Sequence, residues 1–527
     1  MKLSLKSIQA KENWAGYHLP SYDPAKIAEN TALRPQWMHF GSGNIFRIFP
    51  AVLCQRLIEQ KKMDTGIVSC EGYDDEIITK CFRPYDNLTI AVTLNADGRL
   101  EKEVVGSMSE SLTMLHDSER IAEVFKEPSL QMVSFTITEK GYSLRTGAGE
   151  LAPAVTQDMA EGPENCRSFM AQLTAMCLGR RKACGKPLAL VSMDNCSHNG
   201  EKLQAAVTEI AEMWLKNGKI TQEDFDYLQR DIAFPWSMID KITPRPHPMV
   251  EEQLIADGLE DISPFVTSKH TYTAPFVNAE KTQYLVIEDK FPNGRPPLED
   301  VGVIITDRDT VNKVEKMKVC TCLNPLHTCL AVYGCLLGYT SIAEEMKDPQ
   351  LKAFIDRMSH EEGMPFVVDP GVIDPARFLK EVLTERFPNP FMPDTPQRIA
   401  TDTSQKLSIR YGETIKAYMA SDSRRASELK LIPLVLAGWL RYLTGIDDQG
   451  EPFEVSPDPL YASMKEKLGD MKPGSCVDAE RLRPILSDAS IFGVNLYQCG
   501  LADKVIGYFE ELMTGKSAVR RTLEKYV

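Results

Sequence analysis

Three observations predict an α/β protein whose C-terminal half is mostly helical. In the first 300 residues, short apolar segments typical of buried strands alternate with amphipathic helical periods. One of the first of these strands runs directly into a glycine turn and then a helix, as in a βαβ unit. From about residue 301, long helical periods dominate and strand signals are few. The sequence therefore predicts two domains, residues 1–300 and 301–527.

The elements follow one another in a clear order. Residues 1–35 are polar with scattered proline and glycine, and are predicted to be an N-terminal extension lying on the surface. A helix is predicted from Ile45 to about Gln60, between the first two strands. The predicted strands, each bounded by polar or turn-forming residues, are 35–40, 66–70, 130–138 and 187–193. In the second domain, the clearest helical periods cover 341–359, 375–385 and 426–443.

Composition and charge exclude several classes of protein. The formal net charge is -14 and the isoelectric point is about 5.3, whereas nucleic acids and anionic membranes attract basic surfaces. No apolar run is predicted to span a bilayer, and the first residues lack the apolar core of a signal peptide. Thirteen scattered cysteines are typical of free thiols in a reducing compartment. We expect a cytoplasmic protein, monomeric or a small homo-oligomer, with no nucleic-acid or membrane partner.

A glycine turn after the strand at 35–40 is the first candidate site. Gly41, Ser42 and Gly43 supply a tight turn and bare backbone, and Asn44 opens the following helix, which carries Arg47. Such a turn allows a pyrophosphate to approach a helix N-terminus, although the third glycine of the usual motif is absent. These five residues are therefore candidates for dinucleotide binding, and the first domain is predicted to be Rossmann-like.

Glu71 ends the strand at 66–70. An acidic residue in this position binds both ribose hydroxyls of a dinucleotide and repels a 2′-phosphate. The sequence therefore favours NAD over NADP. The alternative is an ordinary loop carboxylate.

A lysine, an asparagine and a histidine interrupt an apolar helical run at Lys318, Asn324 and His327. Buried polar groups destabilise a fold unless they find partners or perform chemistry. Burial lowers the pKa of a lysine, so Lys318 is a candidate base for a substrate hydroxyl, and Asn324 can donate to the oxygen that forms. The alternative is a surface lysine, a helix kink at the Asn-Pro pair and a structural histidine.

Asn195 follows the strand at 187–193, where an α/β sheet presents its ligands, and is a second candidate donor to that oxygen. A turn-forming Asp-Asn pair is the alternative. Metal ligation is not expected, because a Cys-x-Cys pair on a helix points its thiols in different directions and no Cys-x-x-Cys pair occurs elsewhere. The residues weighed as zinc ligands are Cys320, Cys322, His327 and Cys329.

Several ordered motifs together resemble the polyol-specific long-chain dehydrogenase/reductase family, which includes mannitol 2-dehydrogenase, fructuronate reductase and tagaturonate reductase. The resemblance runs from about residue 38 to at least residue 410. It implies a zinc-independent, NAD(P)-linked interconversion of a secondary alcohol and a ketone on an open-chain sugar derivative. The segments that carry it are 41–47, 136–142, 192–195, 234–244, 287–289 and the run from Glu315 to His327.

The resemblance also implies roles for the residues of the apolar run. Lys318 corresponds to the general base, and Asn195 and Asn324 to the oxyanion hole. Glu315 corresponds to a proton-relay glutamate, and His327 follows Asn324 at the family spacing.

One departure from the family pattern concerns the spacing of the base. The family usually has four residues between lysine and asparagine, whereas five separate Lys318 from Asn324. On an ideal helix the extra residue rotates Lys318 by about 100°. A π-bulge can absorb it, and Pro325 favours local irregularity. Lys316 and Lys313 are the alternative bases.

For the substrate, the resemblance implies four binding positions. Thr401 replaces a histidine that mannitol dehydrogenases usually carry, which argues against mannitol. Arg398 can bind a carboxylate in bidentate fashion and Lys406 adds a point charge, so the pair suits a sugar acid. Alternatively, these two cations pair with Asp394 and Asp402 across a turn. The four positions are Asp240, Arg398, Thr401 and Lys406.

We therefore expect an NAD-dependent oxidoreductase that interconverts D-mannonate and D-fructuronate. Mannitol 2-dehydrogenase and tagaturonate reductase activities are the alternatives, and in each case the partner is a small sugar acid or polyol. A different class of function is a catalytically silent relative that binds NAD or a sugar acid. The altered lysine spacing and the replaced histidine motivate that alternative.

Overall fold

The chain folds as two units, residues 1–312 and 313–527, in a computed structural model that describes all 527 residues. All fifteen β-strands lie in the first unit, whereas the second consists of helices and loops. Numbered along the chain, the strands are β1 (Tyr17–His18), β2 (Trp37–Phe40), β3 (Ile67–Glu71), β4 (Thr89–Leu94), β5 (Leu100–Val105), β6 (Met108–Thr113), β7 (Met132–Phe135), β8 (Leu188–Ser192), β9 (Ile232–Ala233), β10 (Ser237–Asp240), β11 (Phe265–Val266), β12 (Tyr272–Thr273), β13 (Phe276–Glu280), β14 (Tyr284–Glu288) and β15 (Ile304–Thr306).

Six parallel strands form the central sheet of the first unit, in the order β6-β3-β2-β7-β8-β9. This is the strand order of a doubly wound dinucleotide-binding fold. Every residue of β2, β3, β7 and β8 is buried, because helices cover both faces, and this explains the unbroken apolar runs in the sequence. The predicted α/β class and the four predicted strands are confirmed, although β7 stops at Phe135, short of residue 138.

Eleven helices lie in the first unit, and a twelfth contains the boundary between the units. They are α1 (Pro24–Leu33), α2 (Asn44–Ile48), α3 (Pro50–Glu59), α4 (Asp75–Ile77), α5 (Ser118–Lys126), α6 (Thr138–Gly141), α7 (Pro153–Glu161), α8 (Phe169–Ala183), α9 (Asn199–Lys216), α10 (Gln222–Arg230), α11 (Pro248–Ala256) and α12 (Arg308–Met317). The helix predicted from residue 45 to 60 is two helices, since Phe49 leaves the helical conformation before Pro50 opens α3.

The N-terminal segment is not an extension on the surface, and that prediction is wrong. Strand β1 pairs in parallel with β5, and α1 begins after Asp23, whose side chain accepts the N–H of Ala25. Leu3 and Trp14 are buried. The segment looked polar because its apolar residues are few and widely spaced, and because a two-residue strand depends on a partner distant in sequence.

The second unit is helical, as predicted. Its helices are α13 (Asn324–Leu337), α14 (Ile342–Glu345), α15 (Pro349–Arg357), α16 (Pro375–Glu381), α17 (Pro396–Ile399), α18 (Glu413–Met419), α19 (Leu431–Tyr442), α20 (Tyr461–Leu468), α21 (Ala479–Leu486), α22 (Ala489–Phe492), α23 (Ala502–Leu512) and α24 (Ala518–Tyr526). Four π-helical turns extend or interrupt them, at Lys318–Cys322, Met358–Gly363, Val382–Arg386 and Ser408–Gly412.

Helices α13 and α19 form the core of this unit. Every residue of α19 is buried, and the Tyr333 hydroxyl of α13 donates to the Leu434 carbonyl of α19 at 2.8 Å. The helical run Arg308–Leu337 is long and apolar enough to cross a membrane, contrary to the prediction that no such run exists. However, 83% of its most apolar window is buried inside the protein, as in the core helix of a soluble protein.

Candidate functional site

The glycine turn after β2 has the geometry that the sequence predicts for dinucleotide binding. Gly41 has φ +98°, and a Cβ there would lie 2.1 Å from the Thr136 carbonyl oxygen, so only glycine fits. Gly43 differs, because its backbone is extended and no heavy atom lies within 4 Å of where a Cβ would be. The bare backbone of Gly43 at the start of α2 therefore fits the approach of a pyrophosphate.

Glu71 ties the end of β3 to this turn. One carboxylate oxygen, Oε2, accepts the N–H of Ser42 at 2.9 Å, and Oε1 accepts the N–H of Tyr73 at 2.9 Å and of Gly72 at 3.1 Å. Burial raises the pKa of Glu71, while these backbone donors oppose the rise. Glu71 is therefore buried and hydrogen-bonded to the glycine turn, and its role in binding a ribose stays a prediction.

Arg47, a residue of α2, is fully buried, and its hydrogen bonds hold this helix in place. Its Nη1 donates to the Ala274 carbonyl at 2.7 Å, and its Nη2 donates to the Asn44 Oδ1 at 2.9 Å and the Thr273 hydroxyl at 3.2 Å. Asn44 in turn donates to the Pro244 carbonyl at 3.3 Å. Arg47 therefore positions Asn44 and the turn through buried hydrogen bonds.

Asn195 lies on an exposed turn after β8. The preceding Asp194 accepts the N–H groups of Ile137 at 3.0 Å and Thr138 at 2.8 Å, and the Tyr142 hydroxyl at 2.5 Å. Burial raises the pKa of Asp194, and these three donors oppose the rise. Asp194 thus anchors the turn, and Asn195 is carried on it at the C-terminal end of the parallel sheet.

Asp240 is buried at the end of β10, which pairs antiparallel with β14. The following Lys241 donates to the Glu280 carbonyl at 2.9 Å and to Gln283 Oε1 at 3.0 Å. These bonds fix the backbone that carries Asp240.

A π-helical turn carries Lys318, which confirms the predicted way of absorbing the extra residue. The Leu323 N–H donates to the Lys318 carbonyl at 3.1 Å, five residues back, before Asn324 and Pro325 open α13. Lys318 is only 3% exposed, so the surface-lysine alternative is wrong. Lys316, one of the two alternative bases, is exposed.

The other two residues of this run also have distinct surroundings. Glu315 lies on α12, half-buried, three residues before the lysine turn. His327 is buried on α13, with its ring 5.1 Å from that of Phe387 and its Nε2 3.6 Å from Asp394 Oδ2. Burial lowers the pKa of His327 to about 4, although Asp394 opposes this. The imidazole is therefore neutral at pH 7, and its Nε2 has no hydrogen-bond partner in the chain.

The two cations predicted to bind a substrate carboxylate have different environments. The Arg398 side chain is 63% exposed and is hydrogen-bonded to Asp394, which is the pairing weighed as the alternative. Lys406 is half-buried and donates to the Thr401 carbonyl rather than to Asp402. Burial lowers the pKa of Lys406.

Sequence reasoning missed Arg410, which lies one helical turn after Lys406 in the π-helical turn Ser408–Gly412. Its backbone N–H donates to the Lys406 carbonyl at 3.0 Å, and its Nη1 donates to the Thr328 hydroxyl. Burial lowers the pKa of Arg410 to about 10. The four-residue spacing from Lys406 was a signal in the sequence that places the two cations on one helix face.

These side chains form a basic group around His327. The charges that act on this imidazole come from one acid and three arginines, of which Arg386 is buried. The group can hold an anion, because cations outnumber acids. Its members are Arg386, Asp394, Arg398 and Arg410, and it continues to Lys406, on which Asp402 and Asp458 also act. No group of three or more His, Cys, Asp or Glu side chains in the chain is arranged to hold a metal ion, and all thirteen cysteines are free thiols.

A doubly wound dinucleotide fold and a helical unit with a buried lysine define a dinucleotide-dependent oxidoreductase. The family models match accordingly: the mannitol dehydrogenase Rossmann domain over residues 35–300 and the mannitol dehydrogenase C-terminal domain over residues 310–513. The chain therefore belongs to the mannitol dehydrogenase family. It is an NAD-dependent oxidoreductase that acts on a CH–OH group of a sugar acid or polyol.

Three similar proteins cover essentially the whole chain. The D-mannonate oxidoreductase of Thermotoga maritima is 51% identical over 535 residues, covering 100% of this chain and 99% of that protein. The Pseudomonas fluorescens mannitol 2-dehydrogenase in a ternary complex with NAD and D-mannitol has a TM-score of 0.73 at 26% identity, covering 100% and 99%. A substrate-free D-sorbitol dehydrogenase has a TM-score of 0.80 at 25% identity, covering 99% and 100%.

Proposed function

We propose that this protein interconverts D-mannonate and D-fructuronate with NAD as the cofactor. The basic group around His327 is the observation that carries the proposal, because a sugar acid brings a carboxylate that cations can bind, whereas mannitol is neutral. The 51% identity to a D-mannonate oxidoreductase over the whole chain supports the same substrate pair. Thr401, in place of the histidine of mannitol dehydrogenases, agrees with it.

Lys318 is the proposed acid and base. In its neutral form the amine accepts the proton of the substrate hydroxyl during oxidation, and in its protonated form it returns a proton to the ketone oxygen during reduction. Its burial supports this role, since a side chain that is 3% exposed is shielded from bulk water. When bound, NAD would supply the hydride acceptor for the alcohol carbon, and NADH would supply the hydride donor for the ketone carbon in the reverse direction. Glu315, on the same helical run, is proposed to relay protons to and from Lys318.

Asn195 and Asn324 are proposed to donate amide N–H groups to the substrate oxygen that gains or loses negative charge. His327 is proposed to hydrogen-bond a substrate hydroxyl as a neutral imidazole, and its unbonded Nε2 supports this. Asp240 and Thr401 are proposed to bind further hydroxyls.

The cofactor is proposed to bind at the turn from Gly41 to Asn44, with Arg47 holding this turn in place. Glu71 is proposed to bind the ribose hydroxyls of NAD and to exclude the 2′-phosphate of NADP by repulsion. Within the same proposal, the enzyme works in the cytoplasm as a monomer or small homo-oligomer, and thirteen free thiols agree with a reducing compartment.

The test is NADH oxidation with D-fructuronate, D-tagaturonate and D-fructose as competing ketones. We expect the highest kcat/KM for fructuronate. Lys318→Ala should lower kcat by about 100-fold or more, since a positioned acid–base group contributes that much. Lys316→Ala is the matched control, two residues away and exposed, and should leave kcat unchanged. A preference for fructose would contradict the substrate, and full activity of Lys318→Ala would contradict the base.

A further inference from the structure

We propose that Arg410 is the residue that binds the substrate carboxylate and so selects a sugar acid over a neutral polyol. This inference rests on the proposed function and names the side chain that carries out the selection.

The position of Arg410 connects it to two of the proposed substrate-binding residues. Its Nη1 donates to the hydroxyl of Thr328, the residue that directly follows His327 on α13. Its backbone N–H donates to the carbonyl of Lys406 at 3.0 Å, one turn earlier. The guanidinium therefore lies near both His327 and Lys406, and its charge acts on both.

The charge of Arg410 is not balanced within the chain. No carboxylate pairs with its guanidinium, whose one hydrogen bond is to a neutral hydroxyl. A guanidinium carries five N–H donors in a planar fork, and only Nη1 is engaged here. Arg410 is partly buried. A partly buried cation without a counter-charge is unfavourable, and an incoming carboxylate supplies both the charge and a matching pair of acceptors.

The neighbouring cations are less suited to this role. Arg398 is already hydrogen-bonded to Asp394, and its side chain is 63% exposed, so water and that acid compete with a substrate carboxylate. Lys406 donates to the Thr401 carbonyl and offers a point charge rather than a fork. Of the three, Arg410 alone combines partial burial, an unpaired charge and a planar fork of donors.

The test compares a sugar acid with a neutral ketose in the same variants. In Arg410→Met, kcat/KM for D-fructuronate should fall on the order of 100-fold, as expected for a lost hydrogen bond to a charged group. With D-fructose, kcat/KM should change less than about threefold, because no carboxylate is involved. Arg410→Lys, which keeps the charge but not the fork, should lose about tenfold on fructuronate. Arg425→Met is the control, since Arg425 is 81% exposed and pairs only with Glu428, and it should match the wild type.

Binding measurements guard against a folding artefact and against slow turnover of fructose. Calorimetry on the NADH-loaded enzyme should show D-mannonate binding weakened by the same factor in Arg410→Met, while NADH affinity and the thermal midpoint stay at wild-type values. Unchanged turnover of fructuronate, or equal losses for fructuronate and fructose, would overturn the role of Arg410 alone. A wild-type enzyme that prefers the neutral ketose would overturn the proposed function as well, and that result appears before any variant is made.

Discussion

Alanine at each of the two turn glycines should separate folding from cofactor binding. Gly41 has φ +98°, and a Cβ there would overlap the Thr136 carbonyl oxygen at 2.1 Å and its carbon at 2.7 Å. The strained backbone costs about 1–3 kcal/mol and the steric overlap about 1–3 kcal/mol more. Gly41→Ala should therefore destabilise the first unit by about 2–6 kcal/mol.

Gly43→Ala should leave the stability intact and weaken the binding of NADH. Its φ of -76° and ψ of -173° are accessible to alanine, and no heavy atom lies within 4 Å of the added methyl. Stability should be unchanged or higher by about 0.4–1 kcal/mol, because alanine restricts the unfolded chain. The methyl instead occupies the space proposed for the pyrophosphate, and should weaken NADH binding at least about tenfold, or about 1.4 kcal/mol.

The assay is differential scanning calorimetry of both variants without cofactor, followed by NADH titration monitored by fluorescence. The thermal midpoint of Gly41→Ala should fall by roughly 4–24 °C, and that of Gly43→Ala should not fall. Wild-type affinity for NADH in Gly43→Ala would refute the pyrophosphate position. A wild-type midpoint in Gly41→Ala would refute the turn geometry.

Three further predictions concern His39, Glu71 and the lysine turn. Burial lowers the pKa of His39 to about 3. Between about pH 6.5 and pH 3 only the unfolded state binds the proton, so the free energy of unfolding falls as the pH falls through this range. In urea melts His39→Asn should flatten the dependence of the free energy of unfolding on pH, and an unaltered dependence would contradict the prediction. Glu71→Gln should raise the kcat/KM ratio of NADPH to NADH about tenfold; an unchanged ratio would assign cofactor choice elsewhere. Deleting Val319 should convert the π-helical turn to α-helix and keep kcat within about tenfold of the wild-type value. Inserting an alanine after Val319 should rotate Lys318 by about 100° and abolish activity. Loss of activity in the deletion variant would show that the π-helical turn itself is required.

Local patterns in the sequence predicted much of the fold. The central strands are apolar throughout because both faces of the sheet are covered, so β2, β3, β7 and β8 were recognisable individually. The glycine turn was recognisable because Gly41 has a backbone conformation that few other residues adopt, and because Gly43 leaves the following backbone bare. The N-terminal segment was misjudged because β1 exists only through its pairing with β5, some 85 residues away in sequence (Tyr17 with Lys102).

The candidate site was also predictable where it depends on local sequence, but not where it depends on tertiary contacts. The burial of Lys318 and the π-helical turn followed from an apolar run and a spacing, both of which are sequence properties. A role for Arg410 in binding a carboxylate could not be inferred from the sequence. The inference depends on the absence of a carboxylate beside its guanidinium, and only the tertiary structure shows which carboxylates are near. The same limit applies to Arg398, whose pairing with Asp394 was one of two alternatives in the sequence and is seen only in the fold.

The π-helical turns of the second unit connect these observations. Three of the four carry a cation of interest: Lys318 opens one, Arg386 ends another and Arg410 lies inside a third. A π-helical turn adds a residue without changing the phase of the flanking helices, so it can aim one side chain differently from its neighbours. Lys318 and Arg386 are buried and Arg410 is partly buried, at positions where an ordinary helix would favour an apolar residue. The helices α13 and α19 can therefore retain a continuous apolar core while the turns beside them carry the cations that we propose for catalysis and for binding a sugar acid.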